Sequence, residues 1–302
     1  MMKFILLFTL FSNVVLADEF RESHINDYQY RLKKNEFLLS ASNNYLFTEL
    51  DFEIEDKTFL ENSKHAFFLN GILNYGLTNN IAISFDKKFF YYQPVRERYH
   101  GEYTKYRKVG PTEATFGLKH FINVRADLLY TVFFNFSPDL FTAKIDNAQS
   151  GSESYQFGFI WDYFYENFEV GGRIESSFFG PTKIKDSERK RVLHSGKYSV
   201  FYFAVGVGYR FLEKFKFEFE QGVSLYTQRE MLSRLSSIEA NKGYSYIAEL
   251  ELSYAFNSRL NTSFGGKFQT EIYNIKTHIN NRELDLEYQA FVASIKVNYA
   301  FN

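Results

Sequence analysis

The sequence contains no cysteine and only four prolines, and beyond Leu16 it has no apolar run long enough for a transmembrane helix. Without cysteine there are no disulfides, no thiolate metal sites and no lipid-anchoring thiol at an export cleavage point. Without a long apolar run, a helical membrane protein is not expected. Neither charge sign dominates: 35 basic residues face 36 acidic ones, which argues against nucleic acid as a partner. Catalytic equipment is also sparse. None of His24, His65, His100, His120, His194 and His278 has serine two positions on, the step that would set a base beside a nucleophile on one strand face. His194 and Ser195 are adjacent, and adjacent residues on extended chain point apart. There is no HExxH and no close histidine pair, so no metal, cofactor or catalytic residue is expected.

What is abundant is aromatic: 36 Phe and 23 Tyr bring the aromatic share to 20%. Such residues favour strands and membrane interfaces. The segment 1–17 reads as an export signal, with Lys3 before the apolar stretch Phe4 to Phe11 and Val15-Leu16-Ala17 at its end. Residues 18–44 are charged and without clean periodicity, and are expected to be a periplasmic extension, a plug or the lead-in to a first strand.

The clearest pattern lies at Lys214 to Tyr226. Phe215, Phe217, Phe219, Val223 and Leu225 fall on one side, and Lys214, Lys216, Glu218, Glu220, Ser224 and Tyr226 on the other. A period of two is a strand with one apolar and one polar face. About 11 residues, tilted by about 45°, rise about 26 Å, close to the apolar band of a transmembrane barrel. From Tyr45 the same alternation places Leu46, Thr48, Leu50, Phe52 and Ile54 on one face and Glu49, Asp51 and Glu53 on the other. His65–Tyr75 and Ile81–Tyr92 flank a short turn. The unit then recurs as Thr112–Phe121 with Ala126–Phe136, Ser154–Tyr165 with Phe168–Phe178, Tyr198–Phe211 with Lys214–Tyr226, and Gly243–Phe256 with Arg259–Ile272. Tyr288 to Phe301 closes the series. Longer polar segments at 93–111, 137–153, 179–197, 227–242 and 273–284 alternate with the short turns. The pattern predicts an all-β fold, a transmembrane antiparallel up-and-down β-barrel of about 12 strands over 45–302, with short periplasmic turns and long outer loops.

The segment Asn74–Phe85 (NYGLTNNIAISF) and the closing residues Phe291, Ile295, Val297, Tyr299 and Phe301 resemble Gram-negative outer-membrane β-barrels. The resemblance implies an outer-membrane location among lipid and lipopolysaccharide. It also implies insertion by machinery that reads a terminal aromatic, here Phe301 followed by Asn302.

On such a barrel the charged face must be the lumen, because carboxylates facing lipid cost several kcal/mol. The expected pore-lining residues are Glu49, Asp51, Asp86, Lys88, Glu113, Lys119, Asp162, Arg173, Glu175, Lys216, Glu218, Glu220, Glu249, Glu251, Lys267 and Glu271. Acids outnumber bases on this face, which would favour cations in a narrow aqueous path. The alternative is a packed ion-pair network, with Lys216 and Glu218 facing Glu249, Glu251 and Lys267 and filling the lumen. Two loops are instead basic, and Arg96, Arg98, Lys105, Arg107, Lys108, Arg189, Lys190 and Arg191 are candidates for lipopolysaccharide phosphates or anionic solutes. The functional expectation is a porin or small-solute channel. A structural or adhesion barrel acting through its loops and a lipid-modifying barrel enzyme are the alternatives.

Overall fold

The computed structural model describes residues 30–54, 57–99, 102–139, 143–144, 152–186, 191–212, 214–227, 229–232, 237–276 and 283–302. The expected leader lies outside the described residues. Twelve strands form the wall: β1 (Phe37–Ile54), β2 (Lys57–Gly76), β3 (Ile81–Tyr99), β4 (Ala114–Arg125), β5 (Leu128–Ser137), β6 (Ser154–Tyr165), β7 (Phe168–Phe179), β8 (Tyr198–Phe211), β9 (Phe215–Tyr226), β10 (Ser237–Asn257), β11 (Leu260–Lys276) and β12 (Glu283–Phe301). Each pairs antiparallel with its neighbours in sequence, and β1 pairs with β12, so the sheet closes on itself. The fold is the expected up-and-down barrel.

The short turns rest on local chemistry. The Asn257 side-chain oxygen accepts from the backbone N–H groups of Arg259 and Leu260 at 2.8 and 2.9 Å. Thr78 Oγ1 does the same for Asn80 and Ile81 at 3.1 and 3.0 Å. Such side chains replace the ladder bonds that a tight turn gives up.

Alternation sets the two faces. On β8, Phe201, Phe203, Val205, Val207 and Tyr209 are exposed to the outside, while Tyr202 and Ala204 are buried within. On β9, Phe217, Val223 and Leu225 face out, and Lys216, Glu220 and Ser224 face in. This is the inverse of a soluble domain, as lipid requires. One lipid-facing polar group, Gln221, is satisfied on the outer surface by a 2.9 Å hydrogen bond from the Tyr246 hydroxyl.

Three features differ from the sequence reading. First, β1 begins at Phe37 rather than Tyr45, where Phe37 meets Tyr75 and Phe301 at ring-centroid distances of 4.5 and 5.2 Å. Second, the faces of β1 run opposite to those expected. Leu39 and Tyr45 are exposed on the outside, and Thr48 is 1% exposed. The stretch Ser40–Asn44, made of small and amide residues, carries no apolar alternation from which the register could be read. Third, much of the polar segments 93–111, 227–242 and 273–284 is strand: Glu102–Val109 folds back on β3, Arg229–Leu232 pairs with β10, and β11 and β12 extend to Lys276 and from Glu283. Beyond the apolar band both strand faces meet water, so the backbone ladder continues while the hydrophobic period vanishes.

The wall is therefore lopsided. β10, β11, β12, β1, β2 and β3 hold 17 to 21 residues, and β4 to β9 hold 10 to 14. A bulge at Phe89, where Leu69 pairs with Phe90 and Asn70 with Lys88, puts both Phe89 and Phe90 on the outer face. Over the low side, loop strands Thr182–Asp186, Arg191–Ser195 and Ala143–Lys144 form a separate small sheet.

The face assignment yields a direct prediction. Leu250, 46% exposed on the outer face of β10, should not tolerate charge: Leu250→Arg is expected to destabilise the barrel by about 2–4 kcal/mol, while Gln269→Arg, inward beside Glu271, should cost much less. Reversible unfolding in urea with lipid vesicles measures both, and equal losses would contradict the orientation of these strands.

Candidate functional site

The interior has three levels. At the short-turn end, residues 30–36 cross the mouth of the barrel. Leu32, 2% exposed, packs among Ala82, Phe121, Leu129 and Phe164, and Tyr30 bridges this cluster to a second one around Ala255 and Ala300. Polar contacts hold the strap at its flank: Arg31 donates to the Asn79 carbonyl and to Asn80 Oδ1, each at 3.0 Å, and the Lys34 backbone N–H to Asn79 Oδ1 at 3.0 Å. Glu36 accepts from the Tyr30 hydroxyl and the Lys33 N–H, both at 2.9 Å. The strap lies so close to β2 that a Cβ at Gly76 would meet the Lys33 carbonyl oxygen.

At mid-height lies a belt of charges. Two like-charged cross-strand pairs, Glu218 with Glu251 and Glu220 with Glu249, face each other on β9 and β10. Opposed carboxylates destabilise a sheet unless cations come between them. Here the cations arrive from different strands. Lys216, 1% exposed, holds its amine between Glu169 and Glu218, the latter at 2.9 Å. Arg173 of β7 lies 2.7 Å from Glu220 and 3.5 Å from Glu175. Lys296 of β12 lies 3.0 Å from Glu251, and Lys267 is the register partner of Glu249.

Polar neighbours complete the belt. The Tyr202 hydroxyl donates to Glu220 at 2.9 Å, and the Arg173 guanidinium sits 4.8 Å over the Tyr202 ring. Gln156 donates to Glu175 at 2.9 Å and accepts from Asn135 at 2.8 Å. The Tyr226 hydroxyl reaches Glu271 at 3.2 Å. Two inward glycines provide the room: a Cβ at Gly208 would stand 2.8 Å from Lys216 Cε, and one at Gly222 would stand 2.6 Å from the Tyr202 ring.

Toward the loops, above the low wall, opens a cavity of about 360 Å³. Asp86, Lys88 and Glu113 supply its charges, Thr115, Ser137, Ser154 and Thr182 its hydroxyls, and Phe179 and Tyr198 its aromatic side. These two rings are stacked at 4.4 Å with 8° between their planes.

The expected lining residues thus divide. Asp86, Lys88 and Glu113 stand in the vestibule. Arg173, Glu175, Lys216, Glu218, Glu220, Glu249, Glu251, Lys267 and Glu271 stand in or beside the belt, and Asp162 is fully buried on the inner face. Lys119 lies lower, 3.4 Å from Asn74 Oδ1. The side chains of Glu49 and Asp51 lie outside the described residues. Of the loop bases, Lys105 and Arg107 are exposed and Lys108 is half-buried on the strand that folds back on β3. The side chains of Arg96, Arg98 and Arg191, and all of Arg189 and Lys190, lie outside the described residues.

Sequence reasoning missed Tyr202, Gln156, Leu32 and the Phe179–Tyr198 pair. Tyr202 is one aromatic among several in consecutive positions. Leu32 is a lone apolar residue in a charged segment. The inward glycines at 208 and 222 were the available signal, since glycine inside a strand marks a close approach.

Removing the central cation should expose what it holds. Lys216→Met leaves Glu169 and Glu218 without their shared amine and is expected to cost about 3–5 kcal/mol. Adding Glu218→Gln should recover part of that loss. A double-mutant cycle in urea measures the coupling, and additive losses would contradict the belt.

No family model matches the chain, and no curated protein matches it in sequence. Among solved structures, the COG4313 outer membrane channel from Pseudomonas putida F1 aligns with a TM-score of 0.61 at 8% identity, covering 91% of this chain and 98% of that one. The translocator domain of autotransporter NalP from Neisseria meningitidis aligns at 0.52 and 9% identity, covering 89% and 90%. At these identities the likeness is one of fold. With the closed wall, the apolar exterior and the charged interior, it makes this chain a twelve-stranded β-barrel of the outer-membrane type.

Proposed function

We propose that the chain is an outer-membrane channel for small solutes, exported by its N-terminal segment, inserted by the outer-membrane machinery and favouring cations mildly. The observation that carries this reading is the polar cavity at the loop end, above the charged interior. A barrel serving only as an anchor has no need of a polar recess of about 360 Å³ on its inner face. Its charges, Asp86 and Glu113 against Lys88, and the carboxylates of the belt give an acid excess that attracts cations within a low-dielectric wall. The exposed Lys105 and Arg107 sit where lipopolysaccharide phosphates would meet them.

A second reading is favoured by the belt and the strap: a filled barrel that works through its loops. Conductance separates the two. In a planar bilayer under a salt gradient, the wild-type barrel should pass a small steady current with a cation-favouring reversal potential. Glu249→Gln with Glu251→Gln should move that potential toward zero. Leu32→Ala, which removes about 2–5 kcal/mol of packing from the strap, should raise the conductance. No steady current from the wild type or from Leu32→Ala would refute the channel. Anion preference would refute the charge argument while leaving the channel.

A further inference from the structure

We infer that the outer wall, at the step from tall β3 to short β4, binds a phosphate-bearing lipid of the outer leaflet, with Lys87 and Arg107 as its cationic contacts. The inference concerns the lipid-facing surface and stands whether or not the lumen conducts.

It starts from a charge on the apolar face. The alternation that turns Asp86 and Lys88 into the vestibule turns Lys87 outward, on the same face as Ile83 and Phe89. Lys87 stands six residues above Ile81, about 14 Å up the wall for a strand tilted by about 45°, and so within the apolar band of about 25 Å. Hydrocarbon cannot solvate an ammonium group there. Cations of the interior are met by carboxylates, as Lys216 is by Glu218 and Lys296 by Glu251. Lys87 instead has Gly71 and Ala114 as its register partners, and neither offers it a bond.

An exit lies toward β4. The 12 residues of that strand rise about 27 Å, just past the band, so Ala114 at its loop end marks the outer edge of the hydrocarbon. Ala114 is directly across from Lys87, one strand spacing of about 4.8 Å away, and the lysine stem can carry its amine over that small residue to headgroup level. Arg107 approaches from above. Its strand, Glu102–Val109, pairs with β3 beyond the end of β4, and the pairing of Val109 with exposed Tyr92 puts Arg107, opposite Pro94, on the outer face as well.

The bulge shapes the site. It places Phe89 and Phe90 together on the outer face, and a Cβ at Gly71 would stand 2.6 Å from Phe89 Cε2, so this ring lies over β2 and leaves the β4 side clear. Opposite the bulge, two bonds bridge the paired stretches: the Gly110 N–H donates to the Tyr91 carbonyl and the Thr112 N–H to the Lys88 carbonyl, both at 3.1 Å. The space at Gly110 is open, with nothing within 4 Å of where a Cβ would stand. Below this notch the wall is apolar, with the Phe85 and Phe116 rings 5.5 Å apart and Phe134 exposed on β5. Cations at the edge of the band above exposed rings suit an amphiphile with an anionic head and hydrocarbon chains. A dissolved anion would gain nothing from the rings, and a neutral lipid would leave Lys87 unmet. Phosphate offers several charged oxygens, enough to engage a lysine and an arginine together.

Native mass spectrometry of the purified barrel released from detergent micelles tests the site, with bisphosphorylated lipid A, its dephosphorylated form and phosphatidylcholine as probes. The wild type should retain bisphosphorylated lipid A several-fold more than either of the others. Lys87→Gln should lower that retention several-fold, Lys87→Arg should restore it, and Lys87→Gln with Arg107→Gln should abolish it. Lys242→Gln, which removes an exposed base on tall β10, should leave it unchanged. Lys87→Gln takes a charge off the lipid face, so an unchanged β-sheet circular dichroism is expected. Equal retention of the dephosphorylated form, indifference to Lys87→Gln, or an equal loss in Lys242→Gln would overturn the inference. A dimer that persists in micelles and dissociates in Lys87→Gln would assign this face to a second copy of the chain and overturn it too.

Discussion

In lipid, no water is available to an open sheet edge, so the wall must close. The seam between β1 and β12 does this, running in unbroken register from Phe37 opposite Phe301 to Glu49 opposite Gln289. Each unpaired backbone group at such a seam would cost several kcal/mol in hydrocarbon. The rings of Phe37, Tyr75 and Phe301 gather at its turn end, where aromatic side chains suit the interface. The rest of the structure follows from closure. Twelve strands fix a lumen too wide for a single layer of side chains to fill with aliphatic groups alone, and too narrow to stay open along its whole length. What fills the middle has to be long, polar and mutually paired.

The belt meets that need and explains the inward glycines. Lys216 and Tyr202 are large side chains, each lying over an inward glycine of a neighbouring strand, and Arg173 in turn lies over the Tyr202 ring. Glu218 and Glu220 could not stand opposite Glu251 and Glu249 without the cations interleaved from β7, β9, β11 and β12. Charge-assisted bonds in a poorly solvated interior are strong when every member is satisfied and costly when one is removed. The belt is thus both filling and cross-strand fastening.

Legibility in the sequence tracks solvent contrast. Lys214–Tyr226 could be read residue by residue because one face meets lipid and the other a polar lumen. The extensions of β3, β10, β11 and β12 could not, since both of their faces meet water and no period survives. On β1 the outer face carries Ala41 and Asn43 between Leu39 and Tyr45, so the alternation was read from Leu46 and Thr48 and came out on the wrong face. Charged inner residues such as Glu218, Glu220, Glu249 and Glu251 were legible from the alternation, but their pairing was not. Lys216 reaches Glu169, two strands away, across Gly208, whose missing side chain leaves the passage, and which strands stand two apart is set by the closed sheet rather than by any local stretch. The strap was illegible for a different reason: a single buried leucine in a charged segment carries no periodic signal.

The lopsided wall ties these features into one path. The tall strands β10 to β12 and β1 to β3 rise past the apolar band on one side, while β4 to β9 stop short, and the vestibule occupies the space this difference leaves on the inner face. On the channel reading, a solute arriving from the loop end would meet hydroxyls and a stacked aromatic pair before any part of the belt. The belt's groups hold one another in ion pairs across the wall, and on the channel reading selection at the vestibule and resistance at the belt would be separated along the axis. The strap crosses the far end, anchored by Leu32 and Tyr30 in the apolar clusters and by hydrogen bonds to the first short turn and to Gly76 and Tyr75 of β2. Displacing the belt would leave several carboxylates without their cations at once, whereas the strap's hydrogen bonds to the first short turn are exposed to solvent. On the channel reading, gating would accordingly fall at the turn end and selection at the loop end.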